Sequence, residues 1–360
     1  MRKFNIYKRK DGRYEGRLLS GRRNNGKRRY LYFFGKTREA VEQKMTFIMN
    51  KKRTDDTCTV TVAEVFEEWY QTIRNRIKES TAANYSMKAQ KHIIPNFGDM
   101  QITELTTSTV NKFIDMKLSE GLSSRYVADI IILMKSIFKY ASATYNLVNA
   151  MSEVSIPRKK STEIALLDAC EQVTLQKYIN ANQNRTSMGV ALSLHMGLRI
   201  GELCALQWAD IDLEKRILTV RKTIQRIQCQ DGDKKTKVIT TEPKSDSSKR
   251  CIPIPEFLYD SLKHFSGKGE EYILSGKSNP VEPRTMQYRF AKMLKYADLP
   301  SIHFHALRHM FASNCVKLGF DIKALSEILG HSSVEITLNR YVHSSFEQKV
   351  EYMKRLKPAV

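Results

Sequence analysis

At 360 residues, 41% of them hydrophobic, the chain is too long for one ordinary core and calls for two or three domains. A formal net charge of +22 and a sequence pI of about 9.7 make nucleic acid the first candidate partner, because so positive a surface recruits polyanions. No run of 18 apolar residues is present, and Met1-Arg2-Lys3-Phe4 opens no apolar signal core, so a membrane span and secretion are argued against and a cytoplasmic chain is expected. The six cysteines (58, 170, 204, 229, 251, 315) lack CxxC spacing, which argues against a zinc ribbon or a disulfide framework.

Residues 1–54 carry 18 Lys/Arg against 4 Asp/Glu, an excess of 14 in about a seventh of the length. Phe4–Arg9, Tyr14–Ser20 and Arg29–Phe34 read as short strands, separated by turn chemistry at Asp11-Gly12 and Asn24-Asn25-Gly26. Thr37 is placed to cap a helix with Val41, Met45 and Ile48 on one face. A sheet with aromatics among arginines suits a DNA groove, and Arg22, Arg23, Lys27, Arg28 and Arg29 are its candidate DNA contacts. The competing reading is a solvated basic arm.

Residues 58–150 read as all-helical. Thr61 with Glu64 forms a capping box before Val62, Val65, Phe66, Trp69 and Ile73 at helical spacing. A helix over 82–94 is expected to end at Pro95. Val110, Phe113, Ile114 and Leu118 mark another, closed by Gly121, and Ser123 or Ser124 opens a longer one through Val127, Ile130, Met134, Ile137, Phe138 and Ala141. Four such helices make a small bundle. Lys78, Ser80, Thr81, Lys88 and Lys91 are candidate phosphate contacts between its helices. Residues 151–163, with Pro157-Arg158-Lys159-Lys160, read as a linker.

Residues 164–360 form the largest unit. Helices are expected at about 171–180 and 186–196, the second ending at Gly197 so that Arg199 opens the next short helix. A β-rich stretch follows at Ile217–Ile227, Lys237–Thr241 and Arg250–Ile254, the last two flanking a polar turn that puts Lys244 at a hairpin tip. Helices resume at Glu282. Gly330 ends one, and Ser332 with Glu335 reads as the capping box of the next. That last helix carries Tyr341 on the face of Val334 and Leu338. The fold class is therefore α+β multidomain: a three-stranded sheet with a helix, a helical bundle, and a mainly helical domain with a small antiparallel sheet.

Within this last unit the residue types point to phosphodiester chemistry. Cutting such a bond without water needs a nucleophile that stays attached and fixed cations where charge builds up. It also needs a proton donor for the leaving oxygen. Arg199 and Arg308 supply planar forks for phosphate and Lys244 a point charge. His303, His305, His309 and His331 match no common zinc spacing, so no metal site is assigned.

The pieces Gly197-Leu198-Arg199-Ile200-Gly201-Glu202-Leu203, Pro243-Lys244-Ser245, His305-Ala306-Leu307-Arg308-His309, Leu329-Gly330-His331-Ser332-Ser333 and Arg340-Tyr341 resemble, in order and spacing, the catalytic domain of the tyrosine recombinase (phage integrase) family. The bundle resembles that family's core-binding domain. Residues 1–54 resemble the arm-site-binding domain of integrases from conjugative transposons and temperate phages. The resemblance implies that Tyr341 attacks the scissile phosphate to give a 3′-phosphotyrosine link and a free 5′ hydroxyl. It implies that Arg199 and Arg308 clamp the phosphate, Lys244 protonates the leaving oxygen, His305 assists proton transfer and His331 hydrogen-bonds the phosphate. Lys249, Lys235 and Lys237 are rivals for the lysine role. Glu202, three residues after Arg199, is expected to orient it. The implied activity is integration, with excision, of a mobile element or prophage, independent of cofactor, metal and ATP. The implied partners are duplex DNA at core and arm sites, four protomers together on DNA, and an excisionase or a host DNA-bending protein. The tail after Tyr341, with Phe346, Val350, Met353 and Leu356 at helical spacing, is expected to pack on a neighbouring protomer or on its own domain. A type IB-like topoisomerase and a non-catalytic DNA-binding protein are the rival readings.

Overall fold

The computed structural model describes residues 5–9, 11–22, 28–55, 59–158, 164–229, 235–242, 246–341, 350 and 353–354. The chain divides into two compact units, Met1–Ser161 and Thr162–Val360. Among the described residues no helix is long and apolar enough to cross a membrane.

The first unit opens with an antiparallel sheet of β1 (Ile6–Lys8), β2 (Tyr14–Arg22) and β3 (Arg28–Gly35), in that order, followed by α1 (Arg38–Asp55). Thr37 caps α1 by accepting from Ala40 N–H at 3.2 Å. Val41 and Met45 of α1 are buried against the sheet. They come so close to Gly16 that a Cβ there would meet Met45 Sδ at 2.3 Å, so the position needs glycine. The other face of the sheet is open. The β2–β3 register puts Glu15, Arg17 and Leu19 opposite Phe34, Tyr32 and Tyr30. Arg17 lies over the Tyr7 and Tyr32 rings at 5.1 and 5.4 Å, and Arg9 over Phe34 at 5.3 Å. Tyr7 donates to Glu15, the buried acid beneath these arginines.

The bundle comprises α2 (Val62–Ile73), α3 (Glu79–Lys88), α4 (Ile94–Phe97), α5 (Thr107–Ser119) and α6 (Ser124–Thr144). The Thr61–Glu64 capping box is present, and Ser123 caps α6 by accepting from Tyr126 N–H. Val127, Ile130, Met134, Ile137, Phe138 and Ala141 of α6 are all buried, as their spacing predicts. The helix expected to stop at Pro95 does not. α3 runs through a π-helical turn, Ala89–Ile93, into α4, where Pro95 occupies the first turn. Proline is tolerated there because first-turn N–H groups lack intrahelical acceptors anyway. The expected linker also begins too early: Met151 and Val154 are buried in the bundle core.

The second unit begins with α7 (Ala169–Ala181), α8 (Arg185–Met196) and α9 (Ile200–Ala205). Strands β4 (Ile211–Asp212), β5 (Ile217–Val220), β6 (Thr223–Gln228), β7 (Thr236–Thr241) and β8 (Arg250–Pro253) follow, then α10 (Glu256–His264), α11 (Pro283–Tyr296), α12 (His305–Lys317), α13 (Ile322–Leu329) and α14 (Val334–Tyr341). Its core gathers α8, α9, β5, α11 and α12, with Leu192, Leu203, Leu218, Met286 and Leu307 essentially inaccessible. The β-rich stretch expected over 217–227 forms two strands, separated at Arg221-Lys222. β5 pairs with β4 and β8, while β6 pairs with β7. There are therefore two small sheets instead of one. β7 and β8 lie in different sheets and do not pair with each other, so the expected hairpin between them is not formed. Helix α10 was not expected from the sequence, where Pro253 and Pro255 mask its start.

Candidate functional site

Two left-handed glycines frame the site. Gly197 (φ +66) closes α8 and Gly330 (φ +64) closes α13, each ending its helix in a conformation that costs other residues about 1–2 kcal/mol. The turn after Gly197 makes Arg199 the N-cap of α9. The turn at Gly330 leaves the last carbonyls of α13 without intrahelical donors. Arginines take them up one by one: Arg250 Nε donates to Ile328 O (2.5 Å), Arg308 Nη2 to Leu329 O (2.6 Å) and Arg199 Nη2 to Gly330 O (3.0 Å). The negative end of the helix dipole favours this gathering of positive charge. Arg308 also donates through Nη1 to Gly197 O at 2.7 Å, tying the two glycine turns together.

Glu202, 4% exposed, is the single carboxylate bonded within this group among the described residues. It accepts from Arg199 N–H (3.0 Å) and Arg199 Nη1 (2.6 Å), and from Arg250 Nη1 (3.1 Å) and Nη2 (2.9 Å). Burial pushes its carboxyl up, but the hydrogen bonds and charge of Arg250 and the charge of Arg199 outweigh burial and hold it at about 2. It is an anion at any working pH. Arg308 is 1% exposed, and burial with the nearby Arg199 charge pushes it down to about 9, so it stays cationic at neutrality.

The nucleophile candidate sits against these cations. Tyr341 ends α14 and is 8% exposed. Its ring stacks on His331 (6.3 Å between centroids, 5° between planes) and meets His309 at 5.4 Å. His309 in turn meets His305 edge-on at 4.8 Å. His331 Nδ1 is 2.8 Å from Oγ1 of the fully buried Thr337, which fixes the ring. Burial raises the Tyr341 hydroxyl above its ordinary value, while the charges of Arg308, Arg340 and Arg199 pull it back. Desolvation first, then the charges of Arg308, Arg340 and Arg199, push His305 down to about 4. Desolvation leads at His309 and His331 too, both again at about 4. All three histidines are neutral at pH 7, which lets each accept a proton.

The structure thus brings together Arg199, Glu202, His305, Arg308, His331 and Tyr341. Lys244 lies outside the described residues. Of its rivals, Lys249 pairs with Glu242 at 2.7 Å. Among the candidate DNA contacts, Arg23 and Lys27 and the side chains of Arg22, Arg28 and Arg29 lie outside the described residues. Lys91 is exposed. Lys88 is 7% exposed and pairs with Asp129 at 3.3 Å, because its place on α3 faces the bundle. It is not the open phosphate contact expected of it. Two details of α14 also differ. Ser333 caps it in place of Ser332, accepting from Glu335 N–H at 3.1 Å. Its inward face is Thr337 and Tyr341, leaving Val334 and Leu338 exposed. The sequence reading missed Arg250. Its signal was an arginine at the inward register of a strand, in phase with Ile252. It also left His309 without a role, although a position four residues after His305 shares its helix face. Of the expected tail, only Val350, Met353 and Lys354 are described, and Val350 and Met353 are exposed.

A comparison with known families matches the phage integrase family over residues 160–348 and a phage integrase N-terminal SAM-like domain over 61–118. The first match spans more than half of the chain, and the chain belongs to the phage integrase family, the tyrosine recombinases. Its class of reaction is site-specific DNA recombination. A tyrosine recombinase XerC-like protein of Caldanaerobacter subterraneus subsp. tengcongensis (strain DSM 15242 / JCM 11007 / NBRC 100824 / MB4) is 28% identical over 387 residues, covering 99% of this chain and 98% of that protein. The integrase of Staphylococcus phage L54a is 24% identical over 357 residues, covering 89% and 99%. Among solved structures, the Tn1549 transposon integrase in complex with a circular intermediate DNA shares the fold at a TM-score of 0.68 and 23% identity, covering 82% of this chain and 99% of that one.

Proposed function

We propose that this chain integrates and excises a mobile element by cutting and rejoining duplex DNA through a 3′-phosphotyrosine intermediate on Tyr341. The observation that carries the reading is the packing of Tyr341 against the His309 and His331 rings beside the Gly330 turn, where Arg199 and Arg308 are both bound. In this reading the Tyr341 oxygen attacks phosphorus, and Arg199 and Arg308 hold the non-bridging oxygens as charge builds on them. The phenol proton passes to His305, assisted by its neighbour His309. His331 donates to the phosphate. Lys244 gives its proton to the departing 5′ oxygen. The phosphodiester bond energy is kept in the link to tyrosine, so rejoining by the 5′ hydroxyl needs no ATP. The guanidiniums supply the charge that other phosphotransfer sites take from a metal, so the reaction runs without one.

The wider organisation follows the same reading. Residues 1–54 bind arm sites through the open aromatic and arginine face of the sheet. The bundle, from residue 58 through the buried Val154, holds the core site, with the residues after it up to 163 as the join and 164–360 as the catalytic domain. Exchange between two duplexes cuts paired strands, so four protomers act together on DNA, with an excisionase or host bending protein assisting. The test is a two-site assay on DNA carrying the element's ends, run with chelator and without ATP. Recombinant product is expected; relaxation without exchange favours a topoisomerase.

A further inference from the structure

The Glu202 carboxylate is gripped from two sides, and Arg199 is only one of them. We propose that Arg250 is a positioning residue of the recombination reaction: it fixes Glu202 and the end of α13 so that Arg199 is aimed before DNA arrives. The inference rests on the function proposed above and adds to it a residue outside the phosphate-contacting set.

Arg250 is spent on the protein. Nε bonds Ile328 O, Nη1 bonds both Glu202 Oε1 and Ser248 O, and Nη2 bonds Glu202 Oε2, so four of its five N–H donors are occupied. Its side chain is 5% exposed. A phosphate ligand needs free donors and access, and Arg250 offers little of either. Arg199 is the opposite case: two hydrogen bonds from its guanidinium, and 35% exposure. The pair therefore divides the labour, one arginine building the mount and the other facing the ligand.

The mount joins three parts of the second unit. Glu202 lies on α9, Ile328 at the end of α13, and Arg250 on β8, six residues after Lys244. One guanidinium thus sets the spacing between the helix that presents Arg199, the turn that precedes His331, and the strand that follows the lysine segment. A Cβ on Gly330 would meet Arg250 Cδ and Nη1 at 3.0 Å, so the turn is closed directly over this side chain. Without Arg250, Glu202 loses two of its four hydrogen bonds. Its freed oxygens then compete for the Arg199 guanidinium and draw it off the phosphate. A lysine keeps the charge but cannot bridge both oxygens and a carbonyl.

The test uses the full chain on a nicked suicide substrate, with single-turnover adduct rate and duplex Kd measured on the same DNA. Arg250→Met and Arg250→Lys are expected to leave Kd unchanged and to slow adduct formation about 10–100-fold, the usual cost of losing a group that orients a ligand-contacting one. Glu202→Gln should slow it similarly, and the double variant Glu202→Gln/Arg250→Met should be no slower than the slower single, since both break one link. Wild-type rates in both Arg250 variants, or losses that multiply in the double, overturn the proposal. If Arg250→Met does not fold, Arg250→Lys decides. Wild-type protein that forms no adduct overturns the proposed function itself, whereas adduct formation indifferent to Arg250 overturns only this inference.

Discussion

At the scale of single residues, buried charge decides which groups act. Glu202 is held at about 2 by Arg250 and Arg199 against its burial, while His305, His309 and His331 are pushed to about 4 from an ordinary 6.5. Between those histidine values the unfolded chain binds more protons than the folded one, so stability falls as pH drops from 6.5 toward 4. Glu202 is shifted in the same direction, but in a different window. Its contribution is fully present above 4.5 and is lost only as pH falls toward 2. Thermal melts should therefore show a falling midpoint between pH 6.5 and 4.5, where Glu202 is silent. The His309→Leu variant, which replaces a buried ring whose Nε2 has no hydrogen-bond partner, should flatten that slope. An unchanged slope would remove His309 from the account. The residues that the structure gathers at the candidate site were legible in the sequence because glycines and family spacing flank them. Arg250 was not, since nothing local separates an arginine that folds inward from one that points to water.

Helix ends do the positioning at the scale of elements. The carbonyls of Ile328, Leu329 and the capping Gly330 that receive Arg250, Arg308 and Arg199 are free because α13 ends there in the left-handed turn of Gly330. Gly330→Ala puts an L residue at φ +64 and a Cβ 3.0 Å from Arg250 and 3.1 Å from Ser247 O. It should cost about 1–2 kcal/mol in denaturant unfolding and lower the adduct rate; wild-type stability would contradict the role given to this turn. Capping boxes and apolar stripes made α2, α5 and α6 readable. The failures share a physical cause, because they depended on contacts distant in sequence. Pro95 reads as a stop unless a π-helical turn restarts the helix before it. One β-rich run becomes strands of two sheets once β5 finds β8 and β6 finds β7. Met151 and Val154 read as linker until the bundle that buries them is assembled.

Across the whole molecule, the proposed function assigns the grip on DNA to the charge of +22 and to the open face of the N-terminal sheet. Binding should weaken steeply with salt, each neutralised phosphate adding a slope of roughly −0.9 to log affinity against log salt. Deleting residues 1–54 should flatten that slope and weaken binding at distal arm sites, yet leave cleavage of a core-only substrate intact. Loss of core cleavage in gel assays would contradict the division of labour between sheet and catalytic domain. The proposed function turns on one event, the bonding of the Tyr341 phenol oxygen to DNA. Protein trapped on a nicked substrate, digested with nuclease and then trypsin, should yield the peptide that starts after Arg340 carrying a nucleotide on Tyr341, and Tyr341→Phe should yield none while still binding duplex. A nucleotide on any other residue, or an adduct that survives in Tyr341→Phe, would contradict it.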